Sequence, residues 1–361
     1  MTRAHEIGIK RERVRRFLIE HGLDGVLMTQ QSSFSWYTGG GNGFVGLASV
    51  EAVGSVLAMR DRDVLITNSI EAPRLEAEEI GGLDVETLSF PWHRPEEGAK
   101  IVEKFGRGKR IATDVALGDA FRRLRYVLTE SEIERYRALG NDAGASLAAV
   151  CRAFLPGDSE FQIAGQLAES LFSKEITPIV LLVAADDRVS RFRHPIPTSK
   201  QVDRYAMAVL CGRRGGLIVS ATRLVHFGNL SPELRRKHAS VTRIDAAVLA
   251  HTRPGNKVRA VFEKAVTAYR TEGFEDEWKR HHQGGGTGYE AREFLGTADC
   301  SEIVQAHQAY AWNPSITGTK SEDTILVGTE GFEVLTKTPD WPMVAVEVAG
   351  QTLSRPDILI R

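Results

Sequence analysis

Cysteine is scarce in this chain. Its three residues, Cys151, Cys211 and Cys300, lie far apart in 361 positions and form no C-x-x-C pair. An odd, scattered set reads as reduced thiols, which excludes a disulfide framework and a zinc cage. Surplus charge is lacking too, since 46 Lys and Arg face 47 Asp and Glu for a formal net charge of −1. Gripping nucleic acid through a general field takes a clustered excess of cations, so no nucleic-acid partner is expected. Long apolar runs are also missing. The longest, IVLLVAA at Ile179 to Ala185, is strand-sized, against the roughly 18 residues a membrane-spanning helix needs. The opening MTRAHEIGIKRERV has no apolar core of the kind a secretory signal carries, so a cytoplasmic address and no membrane partner are expected. No repeat or low-complexity tract interrupts the sequence.

The residues present are those of a soluble globular protein, with 42% apolar and 26% charged side chains and enough length for two domains that each bury a core. Val14, Phe17 and Leu18 share one face of a first helix, and its basic run Lys10 to Arg16 is expected on a solvated face. DGVLMT (Asp24 to Thr29) reads as a buried strand. VGSVLAM and DVLIT read as a hairpin turning at Arg60 to Arg62, and a helix is expected over Ile70 to Ile80, stopped by Gly81-Gly82. A boundary falls near Arg125 to Thr129, where Thr129 and Glu132 form a capping box, a signature that Ser159 and Gln162 repeat. Two apolar strands, YAMAVLC and GLIVSA, follow around Gly212 to Gly216. Val258, Val261, Phe262, Ala265 and Tyr269 mark a helix closed by Gly273, and short strands occupy the tail from Thr324. This order predicts an α+β protein divided into residues 1–126 and 127–361.

The most unusual stretch is HHQGGGTGYEARE, His281 to Glu293. Its glycines lack the G-x-x-x-x-G-K-[ST] spacing of a phosphate loop and follow no predicted strand, which also removes the context of a dinucleotide fingerprint. They are better suited to letting backbone approach a ligand or another strand closely.

Together with WYTGG (Trp36 to Gly40), FRHPIPT (Phe192 to Thr198), SATR (Ser220 to Arg223) and GTKSEDTILVGTEGFEVLT (Gly318 to Thr336), this stretch makes the chain resemble the pita-bread family of aminopeptidase P, prolidase, methionine aminopeptidase and creatinase over nearly its whole length. The closing motif is the most specific of these. The resemblance implies a creatinase-type amino-terminal α/β domain, a carboxy-terminal pita-bread domain, and a homodimer in which the amino-terminal domain of one subunit reaches towards the other's cleft.

Metallopeptidases of that family hold two divalent ions with two Asp, one His and two Glu. In this sequence the matching positions are about Cys211, then Ser220, Gly285, Asn313 and Glu322, and only Glu322 keeps its ligand. Two close cations need several carboxylate oxygens to offset their charge. No metal and no other cofactor are therefore expected, and ordinary Xaa-Pro aminopeptidase chemistry loses its activated water.

Polar side chains remain. His194 matches the histidine that metal-free creatinase uses as acid and base, and His281 matches a substrate-facing histidine. An imidazole near neutral pKa can shuttle a proton without a metal, so His194 is the expected shuttle, Glu322 its partner, and His281 or His282 a second donor. Tyr289 and Trp312 are expected to wall a small substrate and Asn313 to hydrogen-bond it, with Lys320 and Arg223 capturing a carboxylate. Cys211, in an apolar run, reads as packing. The leading expectation is thus a metal-independent, creatinase-like enzyme acting on a C–N bond of a small polar metabolite. Its rivals are an enzyme-derived binding protein without turnover and a single-metal, Xaa-Pro aminopeptidase-like hydrolase built on His194, His281 and Glu322.

Overall fold

The computed structural model describes residues 2–361, which divide into two compact units. One runs to Glu132 and takes in Gly215–Leu217; the other holds Ile133–Arg214 and Ile218–Arg361.

In the first unit, strands Gly25–Gln30, Glu51–Met59, Asp63–Asn68, Glu86–Phe90 and Ile111–Thr113 form one mixed sheet, with Gly25–Gln30 between Glu51–Met59 and Ile111–Thr113. The expected hairpin forms, pairing Leu57 with Val64 and Ala58 with Asp63. Helix Arg3–Glu20 buries Val14, Phe17 and Leu18 as its spacing requires. Its basic run is not wholly solvated, however. Lys10 is fully buried, with Nζ 2.6 Å from Glu6, 2.7 Å from Glu132 and 2.7 Å from the Trp36 carbonyl. Two carboxylates beside one ammonium make that burial tolerable, and periodicity alone could not reveal the second of them. The expected Ile70 to Ile80 helix forms in shortened and widened form, over Ala72–Arg74 and Leu75–Glu79. Asn68 Oδ1 accepts from the amides of Ile70 and Glu71, and Pro73 enters without an N–H.

Both capping boxes start helices, Glu130–Ala153, most of which lies in the second unit, and Glu160–Phe172, which lies wholly in it. Strands Leu359–Ile360, Leu217–His226, Tyr205–Arg214 and Thr177–Ala185 make a four-stranded sheet in that spatial order. Phe294–Leu295, Gly284–Thr287, Ala309–Trp312, Asp323–Val327 and Phe332–Val334 make an antiparallel five-stranded sheet. Helices Pro232–His251 and Val258–Thr271 cover the latter, packing Val248, Leu249, Val261 and Ala265 against Tyr310, Trp312 and Ile325. The two sheets are stitched together where the Ser220 amide donates to Thr324 Oγ1 (2.7 Å) and the Thr222 amide to the Glu322 carbonyl (3.2 Å). Among the described residues no helix is long and apolar enough to cross a membrane.

Candidate active site

The seam between these sheets gathers most of the polar residues singled out above. Glu322 lies between the short strand Thr319–Lys320 and the strand Asp323–Val327, with its side chain fully buried. Lys320 Nζ sits 2.7 Å from Glu322 Oε2, Thr222 Oγ1 donates to the same oxygen at 2.6 Å, and Arg292 Nη2 lies 3.4 Å from Oε1. Burial pushes this carboxyl up, but Lys320 and Arg292 outweigh it and hold the group below the ordinary glutamate value.

Three imidazoles form a second cluster. His281 Nε2 and His194 Nε2 are 3.2 Å apart, and His281 Nδ1 is 3.1 Å from Ser315 Oγ. The His282 ring centroid lies 4.7 Å from that of His281 and 5.8 Å from that of His194. His281 is buried, whereas His194 and His282 open to solvent. Burial, then Lys320 and the neighbouring imidazoles, pushes His281 down to about 2. His282 is pushed down to about 4 by desolvation and then Arg292. For His194 desolvation and Lys320 lower the value, with Glu322 pulling the other way. All three are neutral at neutral pH, the form in which an imidazole accepts a proton or donates a lone pair.

Several expectations are corrected by this geometry. The hydrogen-bond partner of His194 is His281, while the Glu322 carboxylate is engaged by Lys320, Thr222 and Arg292. Arg223 spends all its donors within the fold: Nε on Thr338 Oγ1, Nη1 on the Thr222 and Glu322 carbonyls, Nη2 on Asp323 and the Thr336 carbonyl. It has none left for a substrate carboxylate. Trp312 is not a wall either, since it is fully buried in the core and stacks on Tyr310 at 5.7 Å. Tyr289 is buried as well, in a turn that Glu293 Oε1 caps by accepting the amides of Tyr289 and Glu290. Asn313 is buried beside the seam, and its Oδ1 has no hydrogen-bond partner among the described residues. Arg292, not among the residues expected from the sequence, belongs to the site through its contact with Glu322, and its Nε likewise has no partner among the described residues. Its place directly after YEA in the glycine-rich stretch was the available signal.

The residues expected at the family's ligand positions do not fit a pair of divalent ions. Cys211 Sγ and Ser220 Oγ are 3.1 Å apart and hydrogen-bond each other, and burial pushes the thiol up, away from the thiolate a metal needs. At Gly285 no side chain of any kind is accommodated, because a Cβ would stand 2.1 Å from the Phe294 carbonyl oxygen. Asn313 offers a neutral amide, and an ammonium already covers Glu322.

Comparison with known proteins agrees with this architecture. Metallopeptidase family M24 matches residues 134–329, and the Creatinase/Prolidase N-terminal domain matches residues 10–139. The chain belongs to metallopeptidase family M24, with the creatinase-type amino-terminal domain and pita-bread domain of that family. A relative described as uncharacterized peptidase YqhT, of Bacillus subtilis (strain 168), is 22% identical over 353 residues, 92% of this chain and 98% of the relative. Among solved structures, a prolidase from Pyrococcus horikoshii OT3 superposes with a TM-score of 0.76 at 17% identity, covering 91% of this chain and 98% of its own. An Xaa-Pro dipeptidase from Bacillus anthracis does so with a TM-score of 0.75 at 19% identity, covering 98% and 100%.

Proposed function

We propose that this chain is a hydrolase that opens a C–N bond of a small, polar, peptide-like substrate by histidine proton transfer, without the dinuclear metal centre of its family. The observation that carries the reading is the Ser315–His281–His194 chain of contacts, with Nε2 atoms 3.2 Å apart, beside a buried Lys320–Glu322 pair. His281 is too strongly held neutral to store a proton, so its role is to orient His194. His194, open to solvent, takes the proton of an attacking water as the C–O bond forms and returns it to the leaving nitrogen as the C–N bond breaks. Negative charge developing on the substrate oxygen meets the positive surplus left when one carboxylate, Glu322, faces both Lys320 and Arg292. The unpartnered Asn313 Oδ1 and Arg292 Nε suit a substrate N–H and a substrate oxygen respectively.

The experiment is amine release from a panel of dipeptides, N-carbamoyl amino acids and guanidino acids, assayed with and without a chelator. Turnover that persists under chelation supports the reading. Turnover that appears only on addition of Mn, Co or Zn refutes it and favours a metal-dependent, Xaa-Pro peptidase-like activity.

A further inference from the structure

The histidine cluster holds more imidazoles than a proton shuttle uses. A neutral N–H···N bond joins two rings, here His194 and His281, and leaves the third without a part in it. Yet the donor atoms of all three histidines lie within 4.8 Å of one another. This convergence is not a default of the backbone. His281 has an extended conformation (φ −157°, ψ 140°), and successive side chains on extended chain normally point to opposite sides. The rings of His281 and His282 nonetheless lie with centroids 4.7 Å apart.

We infer that His194, His281 and His282 form a three-imidazole site for a single borderline divalent cation of the zinc type, built from residues outside the ligand set of the family. Zinc binds imidazole nitrogen at about 2.0–2.1 Å, and tetrahedral geometry then sets two such nitrogens about 3.3 Å apart. The His194 to His281 separation of 3.2 Å is already that distance. His282 needs only to swing inward, which its solvent-open position permits. Ser315 Oγ, 3.1 Å from His281 Nδ1, fixes the ring so that Nε2 faces the cluster, the support that metal-bound histidines ordinarily have. The exposure of His194 and His282 provides an entry path and an open fourth position for water.

An all-nitrogen donor set selects zinc, nickel, copper or cobalt over magnesium, calcium and manganese. Lys320 and Arg292 repel a cation here, but both are engaged by Glu322. The site therefore binds zinc more weakly than a structural zinc site does, and reversibly. A bound cation occupies the His194 lone pair, so zinc acts as an inhibitor of the proton transfer proposed above. The binding itself does not depend on that reading.

The test is calorimetric titration of zinc chloride alone into the full-length protein after chelator treatment and removal of the chelator. It is repeated with His194→Ala, His282→Ala and the control His93→Ala, whose residue is exposed elsewhere. Both cluster variants change exposed side chains and are checked for an unaltered melting temperature; His282→Gln serves as a second variant at that position. One equivalent of zinc is expected, weakened at least tenfold in each cluster variant and unchanged in the control, with a zinc anomalous peak among the three rings in a soaked crystal. No saturable zinc, wild-type affinity in both cluster variants, or an anomalous peak elsewhere alone would overturn the inference.

Discussion

Lys320 Nζ and Glu322 Oε2 form a 2.7 Å ion pair between two side chains that are both buried. The carboxylate expected to be the one ligand kept is thus neutralised by the chain's own cation. Breaking a buried pair from one side leaves an uncompensated charge and costs about 3–5 kcal/mol, whereas removing both charges is close to neutral. Arg292 stays beside Glu322, so Lys320→Met should cost about 3 kcal/mol in denaturant unfolding, at the low end of that range. Adding Glu322→Gln should recover most of the loss. A double variant no more stable than Lys320→Met would show that the ammonium does not serve to neutralise this carboxylate.

Restoring a ligand at Gly285 should fail for a backbone reason. Gly285 sits at φ +156° and pairs with Leu295, and its neighbour Gly284, at φ +98°, would place a Cβ 2.1 Å from the Ala311 carbonyl oxygen. Gly285→Ala and Gly285→His should each lose at least about 2 kcal/mol of stability, from steric strain the two flanking strands cannot relieve. Wild-type melting for Gly285→His would mean the strand pair yields readily.

Stability should fall with acid through His281. Its folded value is about 2, while in the unfolded chain it is about 6.5. Between these the unfolded state binds a proton that the folded state refuses. The contribution is complete above pH 6.5 and is lost as pH falls below it, by up to about 1.4 kcal/mol per pH unit. Melting curves from pH 7.5 to 5 should therefore drop more steeply for the wild type than for His281→Gln. Parallel pH profiles would contradict the account of how this ring is held neutral.

His194→Ala should reduce turnover ~10²-fold or more on any substrate the wild type hydrolyses, the scale of general acid–base catalysis. Because His194 is exposed, its melting temperature should not change, and kcat rather than KM should carry the loss. An unaltered kcat removes His194 from the mechanism.

Much of this was legible in the residues. Thr129 with Glu132 and Ser159 with Gln162 announced two helix starts, and Gly284 to Thr287 announced close backbone approach, which the paired strands on either side provide. The motif FRHPIPT and the closing segment pointed to His194, Lys320 and Glu322, which stand close enough that both charges act on the His194 ring. What one dimension hides is the competition for each group. Arg223 looked like a carboxylate fork because nothing in the sequence shows Asp323, Thr336 and Thr338 converging on it. Trp312 looked like a cleft wall, but its stacking on Tyr310 two residues back follows from strand alternation, which puts both on the helix-covered face. Arg292 was missed because an arginine two residues after a glutamate reads as surface until its contact with Glu322 is seen.

The central claim is that side chains, not two bridged cations, occupy the heart of this site. It is tested most directly by anomalous diffraction from crystals equilibrated with Mn2+ or Co2+ and recorded at the metal edge. The account predicts no peak within coordination distance of Glu322, where Lys320 stays in place; cobalt at the histidine cluster would be compatible with it. Two peaks about 3.5–4 Å apart, seated between Glu322 and Asn313 with Lys320 displaced, would contradict it.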